Sequence, residues 1–233
     1  MVDIALRGEL WDNDSADVLR WWGYRDITAP MDIQAALEAA GGDEVTLLIN
    51  SPGGDMTVGA EIRSMMRRYS GKTTALFQGY GASAATLAAS ACTVIQSEPG
   101  ALLCYHNPVG GSEGDFHEMN RSAEALENAR DCILEMYEAR KRGKPRDELI
   151  ELMDKNIWIT PTQAREYGLI DEIVGLDGAV DDPAAFVAAA GGRIRLTAAM
   201  RKKYLDHVAE EKTADQEAQA KRALARIRAL ASY

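Results

Sequence analysis

The sequence predicts an α/β protein with a core of repeated strand–helix–strand units and one long helix that protrudes from that core. Two observations support this class. Short apolar runs alternate up to residue 105 with segments of helical periodicity, which is typical of a parallel sheet covered by helices. Residues 115–142 then form one long, charged segment with a narrow apolar stripe, which predicts a helix that packs along something outside its own core.

The elements of the predicted core follow one another closely. Pro30 stands in the first turn of a predicted helix, and Gly41-Gly42 ends it. The apolar run 45–49 predicts a buried parallel strand, and residues 50–54 (Asn-Ser-Pro-Gly-Gly) predict a turn after it. No regular element is predicted for the polar segment 11–26. Helices are expected at residues 30–40, 58–69, 82–91, 115–142, 148–153 and 161–167, and strands at residues 4–10, 45–49, 73–78, 93–96, 101–105 and 170–174.

The composition of the chain changes after Gly175. Alanine dominates residues 184–190, and residues 197–233 are rich in Ala, Lys, Arg and Glu with few large apolar side chains. Such a segment can bury little surface. We therefore predict a core domain over residues 1–175 and an Ala-rich, charged C-terminal extension over residues 176–233, which is helical or partly disordered.

The charge and hydropathy of the chain exclude several classes of protein. Lys and Arg number 26 against 36 Asp and Glu, a formal net charge of −10. A nucleic-acid-binding protein needs a basic face, so nucleic acid is not an expected partner. No run approaches about 18 uncharged apolar residues, so no membrane span is predicted, and the first residues do not read as a signal peptide. A cytoplasmic protein is expected.

The cysteines predict neither a disulfide framework nor a metal site. Cys92, Cys104 and Cys132 are an odd number, their spacing is not that of metal ligands, and each has apolar neighbours. This pattern is typical of small buried thiols in a reducing compartment.

Only three histidines are available as a general base. His117 and His207 lie in polar surroundings that are typical of surface residues. His106 ends an apolar strand and precedes Asn107, Pro108 and a glycine-rich loop, a position where α/β proteins carry functional side chains. His106 is therefore the candidate base, and a packed histidine at a strand end is the alternative.

Ser83 is the candidate nucleophile. It follows Gly79-Tyr-Gly-Ala at a point where a strand passes into a helix through small residues. A hydroxyl at such a turn is exposed, and the amides that follow it face the reacting carbonyl. The alternative is a helix N-cap in a tightly packed segment. The glycine amides of residues 50–54 are candidates for completing an oxyanion hole or holding an extended peptide, unless the segment is only a turn.

In this order, the segments 49–54 (Ile-Asn-Ser-Pro-Gly-Gly), 79–83 (Gly-x-x-Ala-Ser) and 106–108 (His-Asn-Pro) resemble the proteolytic subunit of the Clp protease, the ClpP family. Residues 158–171, from Trp-Ile-Thr-Pro to Gly-Leu-Ile-Asp, are similar to the family's closing segment, so that the likeness spans residues 4–174. Within the family the chain looks most like the phage branch, the head maturation (prohead) proteases. The grounds are the compact start, the Gly-Gly pair after His-Asn-Pro, and the spacing of Met153 and Trp158.

The resemblance implies roles for particular residues. Ser83 is the nucleophile, His106 is the general base, and the backbone amides of Gly54 and Ala84 form the oxyanion hole.

The third catalytic position departs from the family. Counted back from the matching Tyr-Gly-Leu of residues 167–169, the family's acidic residue falls on Asn156, an amide, and Asp154 lies two residues earlier. An Asn carbonyl can hold the imidazole in one tautomer without supplying charge. Asn156 is therefore the expected third member, with Asp154 as the alternative.

The function implied by the resemblance is that of a serine endopeptidase with a ClpP/crotonase-like fold and no metal or organic cofactor. The expected substrates are scaffold and capsid precursor proteins, cut in the host cytoplasm or in the assembling procapsid. A ring-forming homo-oligomer is also implied, with the helix at 115–142 between subunits, and the stripe of Met119, Leu126 and Ile133 agrees with that. Two alternatives stay open: a crotonase-like enzyme for acyl-CoA thioesters, and a catalytically weak or inactive ClpP-like assembly protein.

Overall fold

The computed structural model describes residues 1–140, 143–175, 196–209 and 211. Strands and helices alternate along the chain as β1 (Val2–Leu10), α1 (Asn13–Trp21), β2 (Ile27–Thr28), α2 (Pro30–Ala40), β3 (Val45–Gly54), α3 (Met56–Arg68), β4 (Thr73–Ala82), α4 (Ala84–Ala89), β5 (Val94–Ser97), β6 (Leu102–Cys104), α5 (Phe116–Glu138), α6 (Arg146–Lys155), β7 (Trp158–Ile159), α7 (Pro161–Glu166) and β8 (Glu172–Ile173). The α/β class predicted from the sequence is confirmed.

The strands form one sheet with a branch at β4. Six of them lie in the order β2-β1-β3-β4-β5-β8, and every pair along this path is parallel. The first half of β4 pairs with β5, whereas its last residues pair in parallel with β6, which in turn is antiparallel to β7. Leu47, Ile49 and Phe77 are fully buried, as expected for central parallel strands covered on both faces.

Helix α2 coincides with its predicted bounds because both of its ends are capped. The Asp32 carboxylate accepts a 2.7 Å hydrogen bond from the amide of Ala29, and Gly41 takes the left-handed conformation at φ 59°. Helix α1, which was not predicted, begins with the reciprocal contact: the carboxylate of Asp12, just before the helix, accepts a 2.9 Å hydrogen bond from the amide of Ser15.

The prediction of a turn at residues 50–54 is wrong, because β3 continues through them to Gly54. The pairing register of β3 shifts against both neighbouring strands here. Against β4 the shift follows Ile49, and against β1 it falls between Arg7 and Glu9. Such irregularities let the strand accommodate the Pro-Gly-Gly sequence and still pair. The Ser51 hydroxyl secures the stretch by donating a 2.6 Å hydrogen bond to the carbonyl of Gly8.

Helix α5 is shorter than predicted and divides into two halves. Ile133 and Tyr137 are buried in the chain's own core, together with Leu134, so the expectation that the whole stripe packs elsewhere is wrong for this half. Near the other end, Phe116 is 66% exposed and Met119 is 43% exposed.

No helix within the described ranges, α5 included, is both long enough and apolar enough to cross a membrane.

The chain divides into two compact units, residues 1–16 with 26–193 and residues 17–25 with 194–233. In the second unit the ring of Trp21 lies 6.0 Å from that of Tyr204 and 5.0 Å from that of His207. Residues 198–209 of this unit are helical. Residues 176–195 and 212–233 of the predicted extension lie outside the described residues, so the boundary after residue 175 stays a prediction.

Candidate active site

The register between β4 and β6 brings the ends of these two strands together. Ala82 pairs with Cys104 in the parallel ladder, and Ser83 donates a 3.0 Å hydrogen bond from its amide to the Cys104 carbonyl. Ser83 is the first residue after Ala82, and His106 is the second residue after Cys104. The carboxyl ends of parallel strands are where α/β sheets place functional side chains, and both candidates lie there.

Ser83 has an unusual backbone conformation. Its φ is 55° and its ψ is −130°, and in the described ranges Asn156 is the only other residue with a side chain at positive φ. Such a conformation costs about 1–3 kcal/mol for a residue with a Cβ and persists only where the surroundings impose it. It occurs here at the sharp turn from β4 into α4, the geometry that projects a nucleophile out of a sheet.

A buried chain of hydroxyl groups holds the carbonyl of Ser83. The Thr86 hydroxyl lies 2.6 Å from that carbonyl oxygen and 2.7 Å from the hydroxyl of Tyr137. Because a carbonyl can only accept, Thr86 donates to Ser83 and Tyr137 donates to Thr86. Burial raises the pKa of Tyr137 well above its usual value, so the phenol keeps the proton that this chain requires.

Gly53 of β3 approaches Ser83 so closely that only glycine fits. A Cβ on Gly53 would lie 2.5 Å from the carbonyl oxygen of Ala82, 2.6 Å from the Cβ of Ser83 and 2.8 Å from the amide nitrogen of Ala84. The Gly53 amide already has an acceptor within its own strand, since it donates a 3.0 Å hydrogen bond to the Ser51 hydroxyl oxygen.

A cleft of about 320 Å³ contains both candidate catalytic residues. Ser83 and His106 line it, as do Gly54 and Ala84, the two residues whose amides the resemblance assigns to the oxyanion hole. The remaining lining residues are Asp55, Met56, Leu87, Asn107, Pro108, Val109, Ile133 and Tyr137. The structure thus brings together four of the residues singled out from the sequence.

The imidazole of His106 is held by the residue that follows it. Its Nδ1 lies 2.6 Å from the main-chain carbonyl oxygen of Asn107. Since a carbonyl only accepts, Nδ1 carries the proton in this contact, and a neutral ring then has its lone pair on Nε2. That tautomer is the one a general base needs in order to accept a proton at Nε2.

Neither candidate for the third catalytic position hydrogen-bonds to His106 in the part of the chain that the structure describes. Asn156 ends helix α6 in the left-handed conformation, at φ 46°, and its Oδ1 lies 3.9 Å from the Sγ of Cys104. Asp154 instead accepts a 2.7 Å hydrogen bond from the Nδ2 of Asn107.

The remaining titratable candidates are not placed for catalysis. Burial raises the pKa of the Cys104 thiol to about 11 and that of Cys92 to about 12, so both stay protonated. His117 is exposed beside Phe116, and His207 belongs to the second unit. Over the described ranges, no three His, Cys, Asp or Glu side chains are grouped as metal ligands.

Sequence reasoning gave no role in this site to three residues: Thr86, Tyr137, and Asn107, which it noted only as part of the His-Asn-Pro motif. Thr86 follows Ser83 by three residues, the spacing at which a hydroxyl reaches a carbonyl of the preceding turn, so a local pattern was available for it. No local pattern joins Tyr137 to Thr86, because 51 residues separate them.

Comparison with known proteins places these features in context. A family model described as Clp protease matches residues 28–177, which is well over half of the 233 residues. Among solved structures, a point mutant of ClpP1 from Listeria monocytogenes matches with a TM-score of 0.59 and 21% sequence identity. The match covers 74% of this chain and 90% of that one. At this level of identity the likeness shows a shared fold.

Proposed function

Because the chain belongs to the Clp protease family, whose members are serine-type peptidases of the ClpP kind, we propose that Ser83 is its nucleophile and His106 its general base. One observation carries this assignment. A serine in a conformation that its surroundings must impose shares a cleft with a histidine whose Nδ1 is already engaged by a carbonyl. These are the arrangements that expose a hydroxyl and leave an imidazole nitrogen free to accept its proton.

The proposed reaction proceeds in two stages. His106 Nε2 accepts the proton of Ser83 Oγ as that oxygen attacks the scissile carbonyl, and the protonated His106 then gives the proton to the departing amine. Water, deprotonated by His106, hydrolyses the resulting acyl-enzyme and restores Ser83. The amides of Gly54 and Ala84 are the proposed donors to the oxyanion. Proton transfer and attack by Ser83 account for every step without a metal or an organic cofactor.

The proposed substrates are protein chains. Family members cleave proteins and form rings. The finer proposal is that this chain cuts scaffold and capsid precursors during phage head maturation, in the host cytoplasm or in the procapsid. It is supported by three features that look most like the phage branch: the compact start, the Gly-Gly pair after His-Asn-Pro, and the spacing of Met153 and Trp158. Co-expression with such a precursor should give defined fragments with the wild type and none with Ser83→Ala, and an uncut precursor in both would contradict it.

A ring formed through helix α5 is the proposed assembly. The exposed apolar side chains of Phe116 and Met119 lie at one end of this helix, and contact between subunits would remove them from water. Replacing both by Asp should yield smaller species in light scattering, whereas a wild-type monomer would contradict the proposal. Ile133 is unsuitable for this test because it is buried within its own chain.

Hydrolysis of an unstructured protein tests the proposed function. The wild type should digest casein, and Ser83→Ala should be reduced by about 10⁶-fold in turnover, as expected when a nucleophile is lost. Turnover of acyl-CoA thioesters by both forms would favour the crotonase-like alternative. A folded wild type that reacts with neither substrate and resists fluorophosphonates would favour the inactive assembly protein.

A further inference from the structure

The third catalytic position of this site lacks a direct carboxylate, yet His106 is still oriented. Its Nδ1 lies 2.6 Å from the main-chain oxygen of Asn107, within hydrogen-bond distance. A main-chain carbonyl is a fixed dipole that can only accept, so it selects the tautomer with the proton on Nδ1. The orienting role usually held by a side chain is therefore already filled.

This carbonyl lies in a segment that needs a tether. Residues 105–113 have no regular secondary structure, so no strand or helix ladder fixes the peptide plane after Asn107. Pro108 supplies part of the constraint, because the residue before a proline is held to extended backbone. A second constraint comes from the side chain of Asn107 itself, which is hydrogen-bonded to Asp154.

Asp154 supplies that tether. Its Oδ1 accepts a 2.7 Å hydrogen bond from Asn107 Nδ2. The orientation of the amide is determined by this contact, since exchanging its nitrogen and oxygen would set two acceptors at the same distance. Asp154 belongs to helix α6, which the buried Leu149, Leu152 and Met153 attach to the core. The loop carbonyl is thus tied to a packed element.

We propose that the main-chain carbonyl of Asn107 orients His106 and that Asp154 is a positioning residue which acts through the Asn107 side chain. The proposal rests on the proposed function in one respect, since it takes His106 to be the base. Under this proposal Asn156 has no role in orienting His106. It ends helix α6, and its side-chain oxygen lies 3.9 Å from the Sγ of Cys104.

A double-mutant cycle on peptide hydrolysis tests the proposed route. Asp154→Ala and Asn107→Ala should each lower kcat by about 5- to 10-fold with KM little changed, the lower range for a hydrogen bond to a charged group, because this one is exposed. The double variant should lose no more than either single one, because both remove the same tether. Asp154→Asn keeps an acceptor and should stay within about threefold of the wild type.

Nitrogen NMR of ¹⁵N-histidine protein provides a readout that does not depend on activity. With only three histidines in the chain, His106→Gln identifies the signals. At about pH 8, where free imidazole is neutral, wild-type His106 should show a protonated Nδ1 and an unprotonated Nε2. Asp154→Ala and Asn107→Ala should give a mixture of the two tautomers, and Asn156→Ala should not.

Three results would overturn the proposal. An unchanged tautomer and kcat in Asp154→Ala would show that Asp154 positions nothing. Multiplying losses in the double variant would mean that Asp154 acts on His106 directly. A collapse of activity in Asn156→Ala alone would return the role to Asn156. A wild type that hydrolyses no peptide but keeps the Asp154-dependent tautomer would instead contradict the proposed function and leave this inference standing.

Discussion

Ser83 and Cys104 are joined by a 3.0 Å hydrogen bond from the amide of the first to the carbonyl of the second. This contact extends the β4–β6 ladder by one step beyond the pair of Ala82 with Cys104. It therefore sets the distance between the end of one strand and the end of the other. The sheet therefore positions the candidate nucleophile directly, whereas the candidate base, His106, lies two residues beyond the end of β6, in the irregular segment 105–113.

The first prediction concerns the close approach of β3 to the nucleophile. Gly53→Ala should lower peptide hydrolysis by about 10²-fold, because its Cβ would displace Ser83 and Ala84, and displacements of about 1 Å have costs of this size. Gly100→Ala is the matched control, since no atom lies within 4 Å of the added Cβ. Activity and thermal unfolding are measured for both variants. Equal activity in the two would mean that the Gly53 contact does not position Ser83.

The hydroxyl chain behind Ser83 gives a second prediction. Thr86→Val keeps the shape of the side chain and the 2.9 Å hydrogen bond from the Thr86 amide to the Ser83 carbonyl, but it removes the hydroxyl bond to that carbonyl and takes away the hydroxyl partner of Tyr137. Unfolding should become easier by about 1–3 kcal/mol, and kcat should fall about tenfold. Tyr137→Phe removes only the outer bond and should cost about 1 kcal/mol, with kcat within about threefold of the wild type. Urea unfolding and steady-state kinetics measure these two quantities. A larger fall in kcat in Tyr137→Phe than in Thr86→Val would contradict the prediction.

The third prediction separates a serine from a cysteine mechanism. Burial disfavours the charged thiolate and so raises the pKa of Cys104 to about 11 and that of Cys92 to about 12. At about pH 8 only about one molecule in a thousand would carry a Cys104 thiolate, and fewer a Cys92 thiolate, and the thiolate is the reactive form. Iodoacetamide should modify at most the exposed Cys132 and leave peptide hydrolysis intact. Inactivation with alkylation at Cys104 would refute this.

A fourth prediction addresses stability away from the cleft. Arg140 and Asp171 form an ion pair whose side chains are 9% and 13% exposed, and Asp171 also accepts a 2.8 Å hydrogen bond from the amide of Ile95. Arg140→Met should destabilise the protein by about 3–5 kcal/mol, because it removes the Arg140 charge from an ion pair that is largely withdrawn from water. Lys144→Met breaks the exposed pair with Glu148 and should cost about 0–1 kcal/mol. Similar urea midpoints for the two variants would contradict this account.

Local patterns were sufficient for much of the fold. Helix α2 begins at Pro30 and ends before Gly41 as predicted, because both signals act within one turn of the helix. The placement of Ser83 and His106 at strand ends also followed from apolar runs that stop at these residues. In each case the physical cause lies within a few residues of its effect.

The errors arose where the cause is distant in the chain. The continuation of β3 through Pro52 depends on Ser51 reaching Gly8, 43 residues away. The ring contacts of Trp21 with Tyr204 and His207 are not an error of prediction, but they too join segments that are too far apart for periodicity to reveal. The partner of His106 was missed for another reason: it is a main-chain atom, and counting side-chain types along a motif does not consider such groups.

Mapping the adduct of a fluorophosphonate probe by tandem mass spectrometry tests the central claim most directly, because the probe forms a bond only with an activated hydroxyl. We expect one adduct per reacted chain, on Ser83. The adduct should be lost in Ser83→Ala, fall by at least about 10³-fold in labelling rate in His106→Ala, and be retained in His117→Ala. An adduct on another serine, or labelling of Ser83 that survives the loss of His106, would contradict the assignment of Ser83 and His106 as nucleophile and base.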